Sequence, residues 1–273
     1  MSFINKIIVN IVQLMPKGVV HFFSKKYIAG ELLDDAIRVT QELNAKGIMT
    51  TIDVLGESIT SKEEAVESKE ECLRVLDAIE TYKLNSNLSI KPTQMGLMLD
   101  LDFAYQQVKE LVVKAAAMNN FVRIDMEDSS TTDRTFELYK RLFATHRNVG
   151  VVLQSYLKRT YDDAAELNKM GTNYRFCKGI YVEPEKIAYK DRQEIRDNFL
   201  KVLELMLKNG NYVGIATHDT YLIDGSLEII NRLKVPREKY EFQMLLGVRE
   251  DLRDKINADK HRLRIYIPYG KDW

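Results

Sequence analysis

The sequence predicts an α/β fold, because short apolar, β-branched runs alternate along the chain with longer segments of helical periodicity. From Gly47 onward the two patterns follow one another seven times, and an eighth short run ends the series. Strands that alternate with helices form a parallel sheet with right-handed crossovers. Eight such strands favour closure into a (β/α)8 barrel of the TIM type. An open doubly wound sheet is the alternative, but no predicted strand is followed by a G-x-G-x-x-G or G-x-x-x-x-G-K-[ST] motif.

The predicted strands cover residues 48–54, 88–91, 121–126, 149–154, 174–178, 212–217, 240–243 and 264–267. The predicted helices between them cover residues 63–83, 99–118, 133–145, 160–169, 190–208, 221–233 and 248–258. Thr60 and Glu63 have the spacing of a capping box at the start of the first helix. Gly47, Gly171 and Gly210 separate helical segments from strands, where a left-handed turn is often needed.

The chain divides into residues 1–45, predicted to be a helical segment that packs on the barrel, and residues 46–273, the barrel itself. Residues 4–14 predict an amphipathic helix, with attachment to a membrane surface as the alternative to packing. No run of 18 apolar residues is present, so we expect no membrane span. We expect a cytoplasmic protein that at most touches the inner face of the membrane.

Composition excludes several classes of protein. Lys and Arg total 40 and Asp and Glu also total 40, so no basic excess favours nucleic acid as a partner. Apolar residues are 45% and charged residues 29%, which is typical of a folded soluble domain. The two cysteines, Cys72 and Cys177, and the four histidines lack the close spacing of metal ligands, so no metal site is predicted from them, and a site of scattered carboxylates is the alternative.

Polar and aromatic residues collect at the carboxyl ends of the predicted strands, where barrels carry their active sites. In chain order they are Asp53, Glu57, Lys91, Asp125, Glu127, Asp128, Gln154, Tyr156, Arg175, Lys178, Tyr181, Thr217, His218, Asp219, Gln243, Tyr266 and Tyr269. Charges this close to a barrel core must pair with one another or with a ligand. Lys91 and Arg175 therefore favour an anionic substrate or an electron-accepting cofactor. A buried lysine also suits Schiff-base chemistry, so an aldolase is an alternative.

Seven segments at these strand ends resemble monofunctional bacterial proline dehydrogenase and the corresponding domain of bifunctional proline-utilisation flavoproteins. They occur in the family's order and spacing across residues 47–273: NLSIKPTQMG (87–96), VRIDMED (122–128), VLQSYLKR (152–159), RFCKGIY (175–181), IATHD (215–219), YEFQMLLGV (240–248) and RIYIPYGKDW (264–273). The resemblance implies a distorted (β/α)8 barrel that binds FAD without a Rossmann domain. It implies oxidation of L-proline to Δ1-pyrroline-5-carboxylate by hydride transfer from C5 to flavin N5, with a membrane quinone as electron acceptor.

The same resemblance implies a role for each matching residue. Asp125, which orders the charge network beside the flavin, and Arg175, which lies near flavin N5, are the implied catalytic residues. Lys91 helps to hold the substrate carboxylate, and Tyr266 packs over the substrate. Tyr181 and Tyr269 match further pocket aromatics. The positions that touch FAD are Met126, Gln154, Lys178, Gly179, Ile180, Thr217 and His218.

The sequence departs from the family after the eighth strand. The family's eighth barrel helix carries an adjacent arginine pair that clamps the substrate carboxylate, and only residues 268–273 follow the strand in this sequence. Arginine binds carboxylates in strong, two-pronged geometry, so we expect Lys91 alone to hold proline poorly. A truncated chain is therefore expected, and a non-catalytic flavin-binding barrel is the alternative function.

Overall fold

Eight parallel strands close into a barrel in the computed structural model, which describes residues 26–56 and 59–271. The strands follow one another around the barrel in chain order, and pairing of the eighth strand with the first closes it. They are β1 (Met49–Val54), β2 (Ser86–Ile90), β3 (Val122–Ile124), β4 (Val149–Gln154), β5 (Asn173–Cys177), β6 (Tyr212–Ala216), β7 (Tyr240–Leu245) and β8 (Leu263–Tyr269). The predicted (β/α)8 barrel is confirmed.

A helix connects each strand to the next, as the periodicity predicts. The helices are α1 (Leu33–Asn44), which precedes β1, then α2 (Lys62–Thr81), α3 (Leu101–Ala117), α4 (Thr132–Phe143), α5 (Thr160–Leu167), α6 (Arg192–Lys208), α7 (Thr220–Leu233) and α8 (Glu250–Ala258). Short 3₁₀ helices occupy Pro92–Met95, Asn168–Met170 and Arg237–Lys239. Every strand and every connecting helix begins and ends within two residues of its predicted bounds.

The N-terminal prediction is tested only in part. The helix predicted at residues 4–14 lies outside the described residues. Helix α1 packs against β1 and β8, while the division into residues 1–45 and 46–273 stays a prediction. In the described part of the chain, no helix is both long enough and apolar enough to cross a membrane.

Strand alternation gives the barrel an apolar outer layer and a polar interior. On β8, Leu263, Ile265 and Ile267 are buried beneath the helices, whereas Arg264 and Tyr266 alternate with them and face inward. Side chains of the strands and side chains of the surrounding helices pack together in this outer layer. On β5, the ring of Phe176 stacks on that of Phe199 from α6, with the centroids 4.5 Å apart.

The barrel interior carries charge at its lower end, away from the carboxyl ends of the strands. Arg264 donates from Nε to Glu241 Oε1 over 2.6 Å, and the Tyr212 hydroxyl donates to Glu241 Oε2 over 2.6 Å. Both Glu241 and Arg264 are mostly buried, with side chains 2% and 11% exposed. A buried carboxylate is tolerated only with such partners. We call Glu241, Arg264 and Tyr212 the lower layer.

Replacing Phe199 with alanine tests the packing of helices on the barrel. Phe199 is fully buried, so Phe199→Ala is expected to lower the free energy of unfolding by about 3–5 kcal/mol, through lost apolar contact and a residual cavity. Val113→Ala, on the exposed face of α3, is the control and should change it by no more than about 0.5 kcal/mol. Urea denaturation measures the free energy of unfolding of both variants, and equal decreases would contradict the packing role of Phe199.

Candidate active site

A cavity of about 600 Å³ opens at the carboxyl ends of the strands. This is the face on which barrels bind their ligands, and the volume is typical of a small-molecule site. Residues from all eight strands or the loops that follow them line it. It brings together these residues assigned from the sequence: Lys91, Asp125, Met126, Gln154, Arg175, Lys178, Gly179, Ile180, Tyr181, Thr217, His218 and Tyr266.

A buried ion pair lies at the centre of the cavity floor. Arg175, on β5, donates from Nη1 to Asp125 Oδ1, just beyond β3. The two side chains are 8% and 12% exposed. Ser89, on β2, donates to the same Asp125 oxygen over 2.8 Å and accepts from Arg175 Nη1 over 3.2 Å. These contacts compensate the loss of water around two buried charges.

Tyr266 completes this cluster from β8. Its hydroxyl donates to Asp125 Oδ2 over 2.9 Å, and the Arg175 guanidinium lies 4.9 Å from its ring centroid. Burial raises the pKa of Tyr266 well above its usual value, and the negative charges of Asp125 and Asp53 raise it further. The hydroxyl therefore stays protonated and acts as a donor. Both oxygens of Asp125 are occupied as a result.

Lys91 forms a second ion pair beside the first. Its Nζ lies 2.5 Å from Oδ2 of Asp53, whose side chain is only 1% exposed, while Lys91 itself is 24% exposed. Burial by itself would lower the pKa of Lys91, but attraction to Asp53 and Asp125 outweighs burial and raises it. The amine is therefore held as an ammonium, which suits an anionic ligand. Attack on a carbonyl requires the neutral amine, so this environment disfavours the aldolase alternative.

Glu127 lies near Lys91 and is held by the loop after β2. It accepts from the Thr93 backbone N–H over 2.9 Å and from the Thr93 hydroxyl over 2.6 Å. Burial raises the pKa of Glu127 despite these two bonds. Its backbone carbonyl accepts from Gln154 Nε2 over 2.8 Å, which directs the Gln154 amide across the cavity wall.

Cations collect at the outer rim of the cavity. Lys178 Nζ lies 3.3 Å from Asp219 Oδ2, and Arg196 binds the same carboxylate through two nitrogens at 3.0 and 2.8 Å. The hydrogen bonds from Arg196, with the charge of Lys178, lower the pKa of Asp219 to about 2. Arg192, 74% exposed, lies 3.7 Å from that carboxylate. Three cations on one carboxylate leave a positive balance at this rim.

Two more of the assigned residues are fixed by backbone contacts. His218 Nε2 accepts from the backbone N–H of Leu245 over 2.9 Å, so its other ring nitrogen carries the proton in the neutral form. The Thr217 hydroxyl accepts from the backbone N–H of Asp219 over 3.2 Å. These bonds hold the loop after β6 at the cavity edge.

The loop after β5 forms one side of the mouth. At Gly179, φ is +110°, and an added Cβ would lie 2.1 Å from the Tyr156 ring, so only glycine fits there. Ile180 is 85% exposed, and Tyr181 is 36% exposed at the rim. Glu183 anchors the far end of the loop by accepting from the Ser129 backbone and hydroxyl, each over 2.6 Å.

The structure corrects the placement of Tyr269. This side chain is 2% exposed, does not line the cavity, and donates through its hydroxyl to Glu71 on α2. Tyr266 and Tyr269 are three residues apart on one strand, and side chains alternate between faces with a period of two. Tyr266 therefore faces inward and Tyr269 outward. The expectation that both are pocket aromatics is wrong.

Three residues of the site, Ser89, Asp53 and Gln243, have no specific role predicted from the sequence. Ser89 is two residues before Lys91 on β2 and therefore faces inward, which strand alternation could have indicated. Asp53 is a polar residue at a strand end, but its pairing with Lys91 depends on the β1–β2 register. Gln243 likewise ends a predicted strand, and its bond to Arg175 spans the barrel from β7 to β5.

Comparison with known proteins identifies relatives of this chain. The chain matches the family model described as "Proline dehydrogenase" over residues 36–272. It is 35% identical over 248 residues to proline dehydrogenase 2 of Bacillus subtilis (strain 168), covering 91% of this chain and 82% of that one. It is 34% identical over 255 residues to proline dehydrogenase of Deinococcus radiodurans, covering 92% and 82%.

A similar barrel occurs in a longer protein of known structure. The crystal structure of proline utilization A from Bdellovibrio bacteriovorus, inactivated by N-propargylglycine, superimposes with a TM-score of 0.86 and 22% sequence identity. The match covers 93% of this chain and 32% of that protein, so it supports the fold alone. The family model spans most of the sequence, and the curated relatives exceed 30% identity over most of their own length. The chain therefore belongs to the proline dehydrogenase family.

Proposed function

We propose that this protein oxidises L-proline to Δ1-pyrroline-5-carboxylate with FAD as its cofactor, and that a membrane quinone takes up the electrons. One observation carries the proposal beyond family membership. Lys91 and Arg175 face the same cavity, and each is paired with its own carboxylate. Such a floor can hold a carboxylate substrate next to an electron-accepting ring without a net excess of buried charge.

The residues of the cavity suit a flavin. Met126, Val152 and Met244 give the wall apolar surface for a flat ring system. Arg175 Nη2 has no hydrogen-bond partner among residues 26–56 and 59–271, so it is available to a polar ring edge. The cations at the rim, Lys178 and Arg192, suit the charge of a diphosphate. Gln154, Gly179, Ile180, Thr217 and His218 line the same space.

The reaction removes two electrons from proline and forms a double bond between C5 and nitrogen. A bound flavin would supply the acceptor for the hydride, or its kinetic equivalent, that leaves C5. The proline nitrogen releases its proton to water as the double bond forms. Lys91 holds the substrate carboxylate, and the ring of Tyr266 limits where the pyrrolidine can lie. The fixed charge of Arg175 stabilises negative charge that develops near it, at no cost of reorganisation during the reaction.

An anaerobic titration with L-proline tests this function directly. We expect the purified, FAD-loaded chain to lose its visible flavin absorbance as proline is added, since proline supplies the electrons. A chain that stays colourless in excess FAD would overturn the cofactor assignment. A yellow chain that proline does not bleach would favour the non-catalytic flavin-binding barrel. Borohydride trapping of a carbonyl compound on Lys91 would favour the aldolase instead.

Tyr266 and Tyr269 offer a matched pair of substitutions on one strand. Tyr266→Phe removes a donor to Asp125 and should slow flavin reduction by proline about tenfold or more, because a hydrogen bond to a charged group is worth about 1.5–3 kcal/mol. Tyr269→Phe removes the same atom on the opposite face. It should lower the melting temperature slightly and leave the rate within about twofold. Stopped-flow absorbance measures both rates, and equal slowing would contradict the role given to Tyr266.

The protonation of His218 gives a further test. Burial lowers the pKa of His218, and the charges of Lys178 and Arg249 lower it further. Long-range proton–nitrogen NMR should therefore show a neutral ring at pH 7, protonated at Nδ1, with a midpoint below about 6.5. Because the unfolded chain binds this proton more readily, stability should fall as the pH decreases through that value. His218→Gln identifies the signal, and a midpoint above 6.5 would contradict the placement.

A further inference from the structure

A continuous run of hydrogen bonds joins the lower layer of the barrel to the cavity floor. Gln243, on β7, donates from Nε2 to Glu241 Oε1 over 2.6 Å. Its Oε1 accepts from Arg175 Nε over 2.7 Å. Gln243 is 5% exposed and Glu241 1% exposed, so water does not compete for these bonds. Gln243 is thus the connection between the buried carboxylate of Glu241 and the arginine of the site.

The charge on Glu241 settles which way the Gln243 amide points. Burial by itself would raise the pKa of Glu241, but the charge of Arg264 and hydrogen bonds from Arg264, Tyr212 and Gln243 bring it down to about 2. Glu241 is therefore an ionised carboxylate, which only accepts hydrogen bonds. The amide must turn its NH₂ group toward Glu241. Its carbonyl oxygen is then directed at Arg175.

The neighbouring strand β6 leaves room for this amide. Gly214, on β6, pairs in register with Glu241. A Cβ added at Gly214 would lie 2.4 Å from Gln243 Nε2 and 2.9 Å from its Cδ. The close approach of the β6 backbone at Gly214 and the hydrogen bonds of the Gln243 amide together hold Gln243 in a single position.

We infer that Gln243 is a positioning residue for Arg175, and that Glu241 fixes Gln243 in the orientation this requires. The guanidinium is held at Nε by Gln243 and at Nη1 by Asp125 and Ser89. Two edges of a planar fork are enough to fix its plane. Nη2 has no partner among the described residues, and Arg175 lines the cavity. Loss of the bond at Nε frees the guanidinium to rotate about its last side-chain bond. The effect on proline oxidation rests on the proposed function, whereas the orientation of Arg175 does not.

The test compares Gln243→Leu with Gln107→Leu in the FAD-loaded protein. Gln107 is a glutamine of α3 with nearly the same exposure, 7%, and it does not line the cavity. In Gln243→Leu we expect flavin reduction by proline to slow about tenfold or more, with KM changed much less than kcat. The reduction potential of the bound flavin, measured without proline, should become more negative, because the positive charge is no longer held in place. Gln107→Leu should match the unchanged protein in all three measurements, and identical behaviour of the two variants would overturn the inference.

A paired exchange keeps the test open if Gln243→Leu fails to fold. In the double variant Glu241→Gln with Gln243→Glu, the new carboxylate still accepts from Arg175, and the new amide still donates to it. We expect this variant to reduce its flavin faster than the single variant Glu241→Gln, in which the amide of Gln243 loses its charged partner. A double variant no faster than the single one would overturn the role of Glu241.

A crystal structure separates this inference from the proposed function. If the unchanged protein is not reduced by proline, the proposed function fails, yet the position of Arg175 can still be observed. In Gln243→Leu, or in Glu241→Gln if the leucine variant does not fold, the guanidinium should be rotated or disordered relative to Asp125. A guanidinium found in its original place would overturn the inference whatever the protein catalyses.

Discussion

The buried ion pair of Arg175 and Asp125 needs further hydrogen-bond partners, and several strands supply them. Removing two charges from water costs several kcal/mol for each ion, and only good geometry with further hydrogen bonds offsets this cost. The partners come from β2, β7 and β8, through Ser89, Gln243 and Tyr266. Each partner is correctly placed only when the barrel is closed in its observed register. Closure of the barrel and assembly of the site are therefore one event.

The two ends of the barrel interior also have different roles. At the lower layer, Glu241 and Arg264 pair with one another, and Arg264 also donates from Nη1 to the backbone carbonyl of Thr50 on β1. At the cavity floor, Lys91 Nζ and Arg175 Nη2 each keep N–H donors without a partner among the described residues. In barrels of this kind the lower face contributes mainly to stability and the upper face mainly to ligand binding. Gln243 links the two ends, so a change in the lower layer reaches the site without touching a ligand.

The sequence predicts the strands and helices well because their periodicity is local. The predictions are wrong where one local sequence pattern is compatible with two structures. Thr60 with Glu63 has capping-box spacing, but so does Ser61 with Glu64, and the structure uses the second pair: Ser61 Oγ accepts from the Glu64 N–H over 3.2 Å. The family resemblance implies a pocket position for Tyr269, although its spacing from Tyr266 places it on the other face of β8. The alternation of strand residues could have excluded it.

Which side chains of the site form hydrogen bonds with one another cannot be predicted from a local sequence pattern. Asp125 binds Ser89, 36 residues before it, and Tyr266, 141 residues after it. Either could be inferred as inward-facing, but only the register between strands decides that they meet at one carboxylate. The resemblance to a family supplies the identity of the main residues, and it supplies none of these pairings. Ser89 and Gln243 therefore have no role predicted from the sequence, although both contact Arg175 directly.

These pairings also determine how the cavity can recognise a ligand. Asp53 neutralises Lys91 and Asp125 neutralises Arg175, so the floor presents directed N–H donors with little net charge. Long-range attraction of anions is weak in such an arrangement, whereas short-range geometry is strict. A carboxylate gains from this floor only when it lies within hydrogen-bond distance of the donors that the chain's own acids leave unused. The selectivity of the cavity floor therefore depends on which N–H donors remain available to a ligand. Asp53 and Asp125 determine which donors those are.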